Sequence, residues 1–560
     1  MTKEFADLVL SEKDISIGNA KNEGASARQI GTTRIRKLPL RNQERVFYSR
    51  AKLSGLELFS IRLIRLIHSK AHSGGKNLKR QHATSVAFLA CLMLFALVMP
   101  FAGATSVTKD LVALFDSRVI CYHASLVTVN PASYASGFLY NTVTELQRAY
   151  GLDPLYAAGY NGAGQTVVIV DAFGSPTIYS DLLSFIQWQN QYAGANLPWT
   201  TLSAVESHLR IYYPQGKPVF NASNSDELGW SLEVTLDVDM VHAIAPGANI
   251  ALVIAPNDNF GPLDYAVNYA IFNHLGCAIS QSWGAPEYEL TGPSGIAVML
   301  EGNSIYMSAA QAQITVFASA GDIGAANFGP YDNPSFPASD PYVTAVGGTN
   351  LFMHCTNGYN EGAGEWNNGS YTGLSYFYEI AGNDYEAMVA DGYPSPFDIV
   401  TTGGAMSSFF TLPYWQQGIA LTYTNGTTVR ATRRCVSDVS FDSGVYGGLG
   451  AVPWSVQTPG SPIFYIIGGT SAGSPFWSAL TAIAGQYAGH RLGFINPSLY
   501  GLYFSGTAYL SGAFHDITKG DNTYPTGCNV TGYEATRGWD APTGIGSPNA
   551  AYLVPLMKGW

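Results

Sequence analysis

Two acidic residues four positions apart, Glu233 and Asp237, stand in a stretch whose other members are mostly leucine, valine and methionine. In a helix this spacing places both carboxylates on one face, where their like charges repel. A helix that is apolar on most sides is usually buried, so two carboxylates on it need a reason. We predict an acid–base pair, and the alternative is a solvated helix face.

A serine, Ser471, lies in the segment GGTSAGSP, between an apolar strand-like run and an apolar helix-like run. The small neighbours let a peptide backbone approach. The free N–H groups and the dipole of a helix N-terminus favour negative charge that develops beside a nucleophile. Ser471 is therefore a candidate nucleophile, and the alternative is that Thr470 or Ser471 only caps the helix.

Two aspartates follow apolar strand-like runs. Asp171 closes TVVIVD, and Asp322 comes directly after ITVFASAG. In open α/β sheets the functional crevice lies at the carboxyl ends of the strands. Asp322 is therefore a candidate for a site there, although a turn-capping Asp is the commoner use of this residue type.

The elements that must position these residues alternate along the chain. Strands are predicted in GQTVVIVDAFG, NIALVIAP, CAISQSWG and YVTAVGG, helices in TIYSDLLSFIQWQNQY, ELGWSLEVTLDVDMVHAIA and PLDYAVNYAIFNHL, and a helix followed by a strand in MSAAQAQITVFASAGD. After Leu351 the sequence is rich in loop residues until a final strand and helix around FYIIGGTSAGSPFWSALTAIAGQYAG. This alternation predicts an α/β fold, a parallel sheet covered on both faces, in one large domain from about Asn141 onward.

Five segments occur in a recognisable order, namely GLDPLYAAG, FPASDPYVTAVGGT, GGAMSSFFTLPYWQ, SDVSFD and GFINPSLY. Together with the Glu233–Asp237 pair, the segment of Ser471 and the segment of Asp322, they resemble the sedolisin (serine-carboxyl peptidase) family from about Asn141 to Ala551. The resemblance implies a subtilisin-like fold. It also implies that Ser471 is the nucleophile, Glu233 the general base, Asp237 its supporting acid and Asp322 the carboxyl group that stabilises the oxyanion.

Activity in acid is expected from this arrangement, because an ionised Asp322 would repel the tetrahedral intermediate. An ordinary subtilisin would instead need a base histidine in an H-G-T-H-like segment, and none of the seven histidines after Ala104 lies in one. The resemblance also implies that Asp171 extends the carboxylate network and that the backbone of Ser282, Trp283 and Gly284 binds substrate as an added strand. A turn residue and a core aromatic are the alternatives for Asp171 and Trp283.

Two segments near the C-terminus, DITKG and RGWDAPTG, resemble the calcium loop of the family. The resemblance implies one structural Ca²⁺ bound by the side chains of Asp516 and Asp540 and by the carbonyl groups of Ile517, Thr536 and Gly538. Two carboxylates with backbone carbonyls suit a hard, oxygen-binding cation. Thr536 stands where the family usually has glycine.

Charge divides the chain into two parts. Residues 1–85 contain 17 Lys and Arg against 7 Asp and Glu, whereas the remainder contains 12 against 33. Between them Val86–Ala104 is uncharged and ends in small residues, which indicates a signal peptide cleaved after Ala104, with an uncleaved membrane anchor as the alternative. A signal peptide normally begins close to its basic region, so initiation near Leu78 would account for the long leader. Residues 105–140 would be a short pro- or linker segment before the peptidase domain, 141–556.

The composition predicts tolerance of acid, and the uncharged segment predicts secretion. The resemblance implies an enzyme that acts on proteins or peptides, and we expect it to be a monomer. Few basic groups limit self-repulsion at low pH, and the acidic balance excludes a nucleic-acid binder. Cys277 is expected to be buried, and Cys121, Cys355, Cys435 and Cys528 could form up to two disulfides. The alternatives are a catalytically inactive surface-binding protein on the same fold and, more weakly, an aspartic protease suggested by Asp442-Ser443-Gly444.

Overall fold

The computed structural model describes residues 140–355, 358–361, 375–385, 400–445, 447–524 and 529–560, together with two short strands at 120–121 and 127–129. All of them belong to the unit Phe101–Trp560. The predicted basic leader and the uncharged segment Val86–Ala104 therefore lie outside the described residues. Among the helices that are described, none is both long and apolar enough to cross a membrane.

The helices follow the predicted apolar patterns closely. In chain order they are α1 Val143–Ala149, α2 Asp153–Ala157, α3 Ile178–Trp188, α4 Leu202–His208, α5 Ser225–Ile244, α6 Phe260–Phe272, α7 Pro293–Gln311, α8 Gly473–Ala488, α9 Asn496–Phe504, α10 Thr507–Leu510 and α11 Ala550–Met557. A π-helical turn, Gln189–Ala193, continues α3, and 3₁₀ turns occupy Glu287–Leu290, Tyr414–Gln416 and Thr470–Ala472. The side chain of Asn224 caps α5 by accepting a hydrogen bond from the Asp226 N–H, which fixes the start of this helix.

The strands, in chain order, are β1 Ile120–Cys121, β2 Val127–Val129, β3 Thr166–Ala172, β4 Leu209–Tyr212, β5 Asn249–Ala255, β6 Ala278–Gln281, β7 Trp283–Pro286, β8 Thr315–Ser319, β9 Ser335–Phe336, β10 Thr344–Cys355, β11 Gly358–Glu361, β12 Ser375–Ala381, β13 Ala405–Thr411, β14 Ala420–Thr422, β15 Thr428–Arg430, β16 Arg433–Val436, β17 Val439–Asp442, β18 Leu449–Trp454, β19 Ile463–Ile467, β20 Phe514–His515 and β21 Ser547–Pro548.

A parallel sheet forms the centre of the fold, in the order β4-β5-β3-β6-β8-β10-β17. Strands β11 and β12 add to β10 in the antiparallel sense. Strands β3 and β5 pair along their whole length, from Thr166 opposite Asn249 to Ala172 opposite Ala255. The predicted parallel α/β sheet is confirmed.

Alternate residues of the central strands enter two separate apolar clusters. In β3, Val167 and Ile169 pack with residues of α3, α5 and α8, whereas Val168 and Val170 pack with residues of α6 and α7. Successive side chains of a strand point to opposite faces, so each face of the sheet has its own layer of helices. This double cover explains why the strands are apolar throughout rather than alternating.

Three details differ from the sequence-based expectation. The run CAISQSWG is divided at Ser282, because β6 belongs to the central sheet while β7 joins β1 and β9 in another sheet. The region after Leu351 contains more strands than expected, because short strands with mixed burial such as β12 carry little apolar signal. Cys435 is buried with a free thiol, like Cys277, so it belongs to no disulfide.

Candidate active site

Ser471 lies in the 3₁₀ turn between β19 and α8 and is completely buried. The preceding Gly469 has a φ of 108°, a conformation that favours glycine. A Cβ atom on Gly468 would lie 2.5 Å from the carbonyl oxygen of Gly444, so that position also requires glycine. The glycines therefore hold the turn tightly against its neighbours, and the Ser471 Oγ donates a long hydrogen bond of 3.4 Å to the carbonyl oxygen of Ser282.

Glu233 and Asp237 lie one turn apart on α5 and are both completely buried. The hydroxyl group of Ser282 lies 2.8 and 2.9 Å from the two carboxylate oxygens of Asp237 and 3.2 Å from the carbonyl oxygen of Ser471. A serine hydroxyl has a single hydrogen to donate, and the shorter distances favour Asp237. Ser282 thus connects Asp237 of α5 to the turn that carries Ser471.

Asp171, the penultimate residue of β3, is also completely buried. Burial raises the pKa of the Asp171 carboxyl group well above its ordinary value, and the charge of Glu233 raises it further. Neither carboxyl oxygen of Asp171 has a hydrogen-bond partner among the described residues. The carboxyl group is therefore close enough to Glu233 to interact with it and is favoured in its neutral form.

Asp322 follows β8 and is 6% exposed. Its Oδ1 accepts hydrogen bonds from the backbone N–H and from the hydroxyl group of Thr470, both at 2.7 Å. The Thr470 hydroxyl oxygen in turn accepts a hydrogen bond of 3.1 Å from the N–H of Gly321. These contacts fix the Asp322 carboxyl group beside the residue that precedes Ser471 in the chain.

The strand β7 already has an extended segment on its edge. Ile120 pairs with Gly284 and Cys121 with Trp283, in the antiparallel sense. The side chain of Trp283 points into the core, where its Nε1 donates a hydrogen bond of 2.7 Å to the carbonyl oxygen of Val170. The backbone of β7 therefore pairs with an extended segment, while the side chain of Trp283 packs in the core.

The two acidic residues of the C-terminal loops also lie close together. Burial raises the pKa of Asp540 well above its ordinary value; hydrogen bonds from Thr543 and Thr536 lower it, and the charge of Asp516 raises it. Burial also raises the pKa of Asp516, although the nearby Arg537 opposes this. A divalent cation would relieve this cost of two partly buried carboxylates, so the residues fit the predicted ligand set.

The backbone of this loop is consistent with its sequence. Gly538 has a φ of 87° and donates its N–H to Asp516 at 2.9 Å, whereas Thr536 is not among the residues with positive φ. Threonine in place of glycine at 536 therefore causes no backbone strain. Within the described part of the chain no group of three or more His, Cys, Asp or Glu side chains could bind a metal ion. The predicted site has only two such side chains, and backbone carbonyl oxygens supply its other ligands.

Two contributions to the site were missed by sequence reasoning. The sequence predicts a role only for the backbone of Ser282, whereas in the structure its hydroxyl group contacts Asp237. The sequence suggests Thr470 only as a helix cap, whereas in the structure it holds Asp322. The adjacency of Thr470 to Ser471 is a signal that could have suggested its role. No local pattern connects Ser282 with Asp237, because the contact joins residues 45 positions apart.

The comparisons with known proteins agree with this arrangement. The chain is 31% identical to kumamolisin of Bacillus sp. (strain MN-32) over 407 residues, which is 72% of this chain and 61% of kumamolisin. It is 29% identical to sedolisin of Pseudomonas sp. (strain 101) over 60% of this chain and 51% of sedolisin, and 25% identical to physarolisin of Physarum polycephalum over 72% and 69%. The chain thus spans about half to two thirds of the length of these relatives. No protein-family model matches the chain.

A solved structure of Pseudomonas sedolisin, described as a serine-carboxyl proteinase with two molecules of pseudo-iodotyrostatin, matches with a TM-score of 0.55 at 24% identity, over 76% of this chain and 99% of that one. The parallel sheet with helices on both faces is accordingly a subtilisin-like α/β fold. These relatives are all of one class, the serine-carboxyl peptidases. The chain belongs to the sedolisin family.

Proposed function

We propose that the chain is a secreted, acid-active serine-carboxyl endopeptidase that hydrolyses peptide bonds in proteins or peptides. The observation that carries this proposal is a set of buried contacts. Ser282 connects Asp237 with the turn of Ser471, and Thr470 holds Asp322, while buried Glu233 lies one turn from Asp237 on α5. A secreted location is supported by the uncharged segment Val86–Ala104 and its small-residue end.

Glu233 acts as the general base in this proposal. Its carboxylate accepts the proton of the Ser471 hydroxyl group while Oγ attacks the carbonyl carbon of the substrate. Protonated Glu233 then returns this proton to the leaving amine as the tetrahedral intermediate collapses to an acyl-enzyme. In the second half water attacks the acyl-enzyme ester and gives a proton to Glu233. As this tetrahedral intermediate collapses, Glu233 returns the proton to the Ser471 Oγ, which releases the acid product and regenerates both residues. Asp237, one turn away on α5, orients the carboxyl group of Glu233 for these proton transfers.

Asp322 stabilises the oxyanion of each tetrahedral intermediate as a neutral carboxyl group. Because Oδ1 already accepts two hydrogen bonds from Thr470, the neutral group carries its proton on Oδ2. That O–H donates to the oxyanion, and the stabilisation is lost when the group ionises. The mechanism therefore runs in acid.

Substrate adds as a strand to the edge of β7 where β1 pairs in this structure, with the backbone of Ser282, Trp283 and Gly284 as partners. The antiparallel pairing of Ile120–Cys121 with this edge supports the idea that it accepts an extended chain. One structural Ca²⁺ is bound by Asp516 and Asp540 with the carbonyl groups of Ile517, Thr536 and Gly538. Its contribution is charge compensation within the C-terminal loops, and it takes no part in the chemical steps.

The test is an assay of peptide hydrolysis at acid pH with two inhibitors. We expect cleavage that is stopped by a peptide aldehyde, which forms a hemiacetal with a serine nucleophile, and is unaffected by a transition-state analogue that binds an aspartic dyad. The Ser471→Ala protein serves as the matched control. Inhibition by the aspartic analogue would favour the aspartic protease alternative, and absence of any cleavage would favour a binding protein.

A further inference from the structure

A pocket of about 310 Å³ opens beside the central sheet, between the segment that follows β3 and the segment that follows β4. Four aromatic side chains line it, those of Phe173, Tyr179, Tyr213 and Phe220. Lys217 is the cationic residue of the lining, and it is exposed to solvent. The catalytic scheme above makes no use of this pocket.

The pocket lies at the same edge of the sheet as the candidate active site. Phe173 is two residues beyond Asp171, a reach of at most about 7 Å along the chain, and Asp171 interacts with Glu233. Phe173 also packs against the apolar cluster that contains Trp283 of β7. Since β5 alone separates β3 from β4, the strands that lead into the two walls are about 10 Å apart. A few residues of extended peptide would connect the pocket with Ser471.

One wall of the pocket is anchored to the catalytic helix. Directly after Phe220, the N–H of Asn221 donates a hydrogen bond of 2.6 Å to the Glu227 carboxylate in the first turn of α5. Asn224 donates to the other oxygen of Glu227 at 3.2 Å. The loop is therefore fixed to the helix that carries Glu233, and this favours a preformed pocket.

The lining defines the chemistry of an occupant. Four aromatic walls suit a bulky apolar side chain. The ammonium group of Lys217 lies 5.6 Å from the ring centre of Tyr213, within the range of a cation–π contact. The residues that line the pocket include no acid, although the charge of Glu206 outside the lining raises the pKa of Tyr179. A carboxylate next to the apolar side chain would therefore meet a positive charge at the rim.

We propose that this pocket is a substrate subsite for a bulky apolar side chain several residues from the cleaved bond, and that Lys217 selects an acidic residue next to it. The inference rests on the proposed peptidase function and adds a substrate class to it. Phe220 and Lys217 are then specificity-determining residues, and neither takes part in the chemical steps.

Binding to the Ser471→Ala full chain tests the subsite without requiring hydrolysis. The probes are blocked octapeptides of alanine and glycine in which one Phe is moved along the sequence, each with Glu or Lys beside the Phe. We expect Phe at one position to strengthen binding. Phe220→Ala should weaken the binding of that peptide about tenfold and leave the affinity for the Phe-free peptide unchanged. Lys217→Glu should reverse the preference for Glu over Lys.

Lys558→Glu is the matched control, because Lys558 is another exposed lysine that lies over an aromatic ring, that of Tyr487 at 5.9 Å. It should change no preference. The inference is overturned if Phe220→Ala and Lys217→Glu weaken all peptides equally, or if Lys558→Glu has the same effect as Lys217→Glu. Since Lys217 is exposed, its variant is informative even if Phe220→Ala does not fold. Position-specific binding in a chain whose wild type cleaves nothing would support the subsite and contradict the peptidase function.

Discussion

The four residues of the proposed catalytic site come from three distant segments of the chain, and each has a separate task in the proposed chemistry. We expect Ser471→Ala, Glu233→Gln and Asp237→Asn each to lower turnover by at least about a thousandfold, because the members of a triad act as a unit. The fold should remain intact, since each change is small. The measurement is kcat on one peptide at acid pH, with circular dichroism as the check on folding. A folded Ser471→Ala protein with full activity would contradict the assignment.

Asp322 offers a more specific test at the level of a single residue. Asp322→Ala removes the proposed oxyanion donor, which costs about 2.7–4 kcal/mol or roughly 100- to 1000-fold in kcat. Asp322→Asn keeps an N–H donor that cannot ionise, so it should retain more activity and extend it to higher pH. The comparison is a pH–rate profile of the wild type and both variants on one peptide. Equal kcat for all three in acid would remove Asp322 from the mechanism.

At the level of elements, the strand β1 occupies the edge that the proposed function assigns to substrate. Proline at position 120 would remove a backbone N–H and restrict φ, which weakens the pairing with β7. Because a tethered competitor acts at high effective concentration, Ile120→Pro should lower KM several-fold at unchanged kcat. Ile120→Ala keeps the backbone N–H and should behave like the wild type. If the two variants have the same KM, substrate and β1 do not share this edge.

The sequence allowed the main elements to be predicted because their signals are local. The runs of Thr166–Ala172 and Asn249–Ala255 are apolar throughout, and α5 has a capping residue in Asn224 and an apolar surface on most sides. The pairing of β1 with β7, the division of the chain at Ser282 and the bond from Thr470 to Asp322 depend on contacts between distant segments. The residue pattern of a single segment does not reveal such contacts. The resemblance supplied the roles of the catalytic residues, and the fold supplied the residues that hold them.

At the level of the whole molecule, the C-terminal loops are expected to depend on a cation. A ligand that binds only the native state stabilises it by mass action. The two carboxylates of Asp516 and Asp540 would repel each other without such a ligand. We expect excess chelator to lower the melting temperature and added Ca²⁺ to restore it. Asp516→Asn should weaken this response, whereas an unchanged melting temperature together with no bound metal by elemental analysis would exclude the site.

The stability of the whole molecule should also decrease as the pH rises. Burial raises the pKa of Asp340 and of Asp384 to about 7, and it raises the pKa of Asp239 and Asp264 well above their ordinary values. In the unfolded chain such groups ionise near pH 4, so between pH 4 and 7 the folded state binds more protons. Their contribution to stability is thus fully present below pH 4 and is lost as the pH rises through 7.

Asp384 provides the control for this last expectation. A pKa of about 7 in place of 3.8 corresponds to a loss on the order of 4 kcal/mol between pH 4 and pH 8 from this one group. Asn at this position cannot ionise, and its one oxygen can accept only one of the two hydrogen bonds that Asn350 and Val445 now donate to different oxygens of the carboxylate. We expect Asp384→Asn to be less stable than the wild type in acid, where the neutral carboxyl group fits best, and to lose less stability by pH 8. The measurement is the free energy of unfolding in urea at several pH values, with chelator present throughout so that calcium binding does not contribute. A wild-type protein that becomes more stable from pH 4 to pH 8 would show that these buried carboxyl groups ionise readily in the folded state.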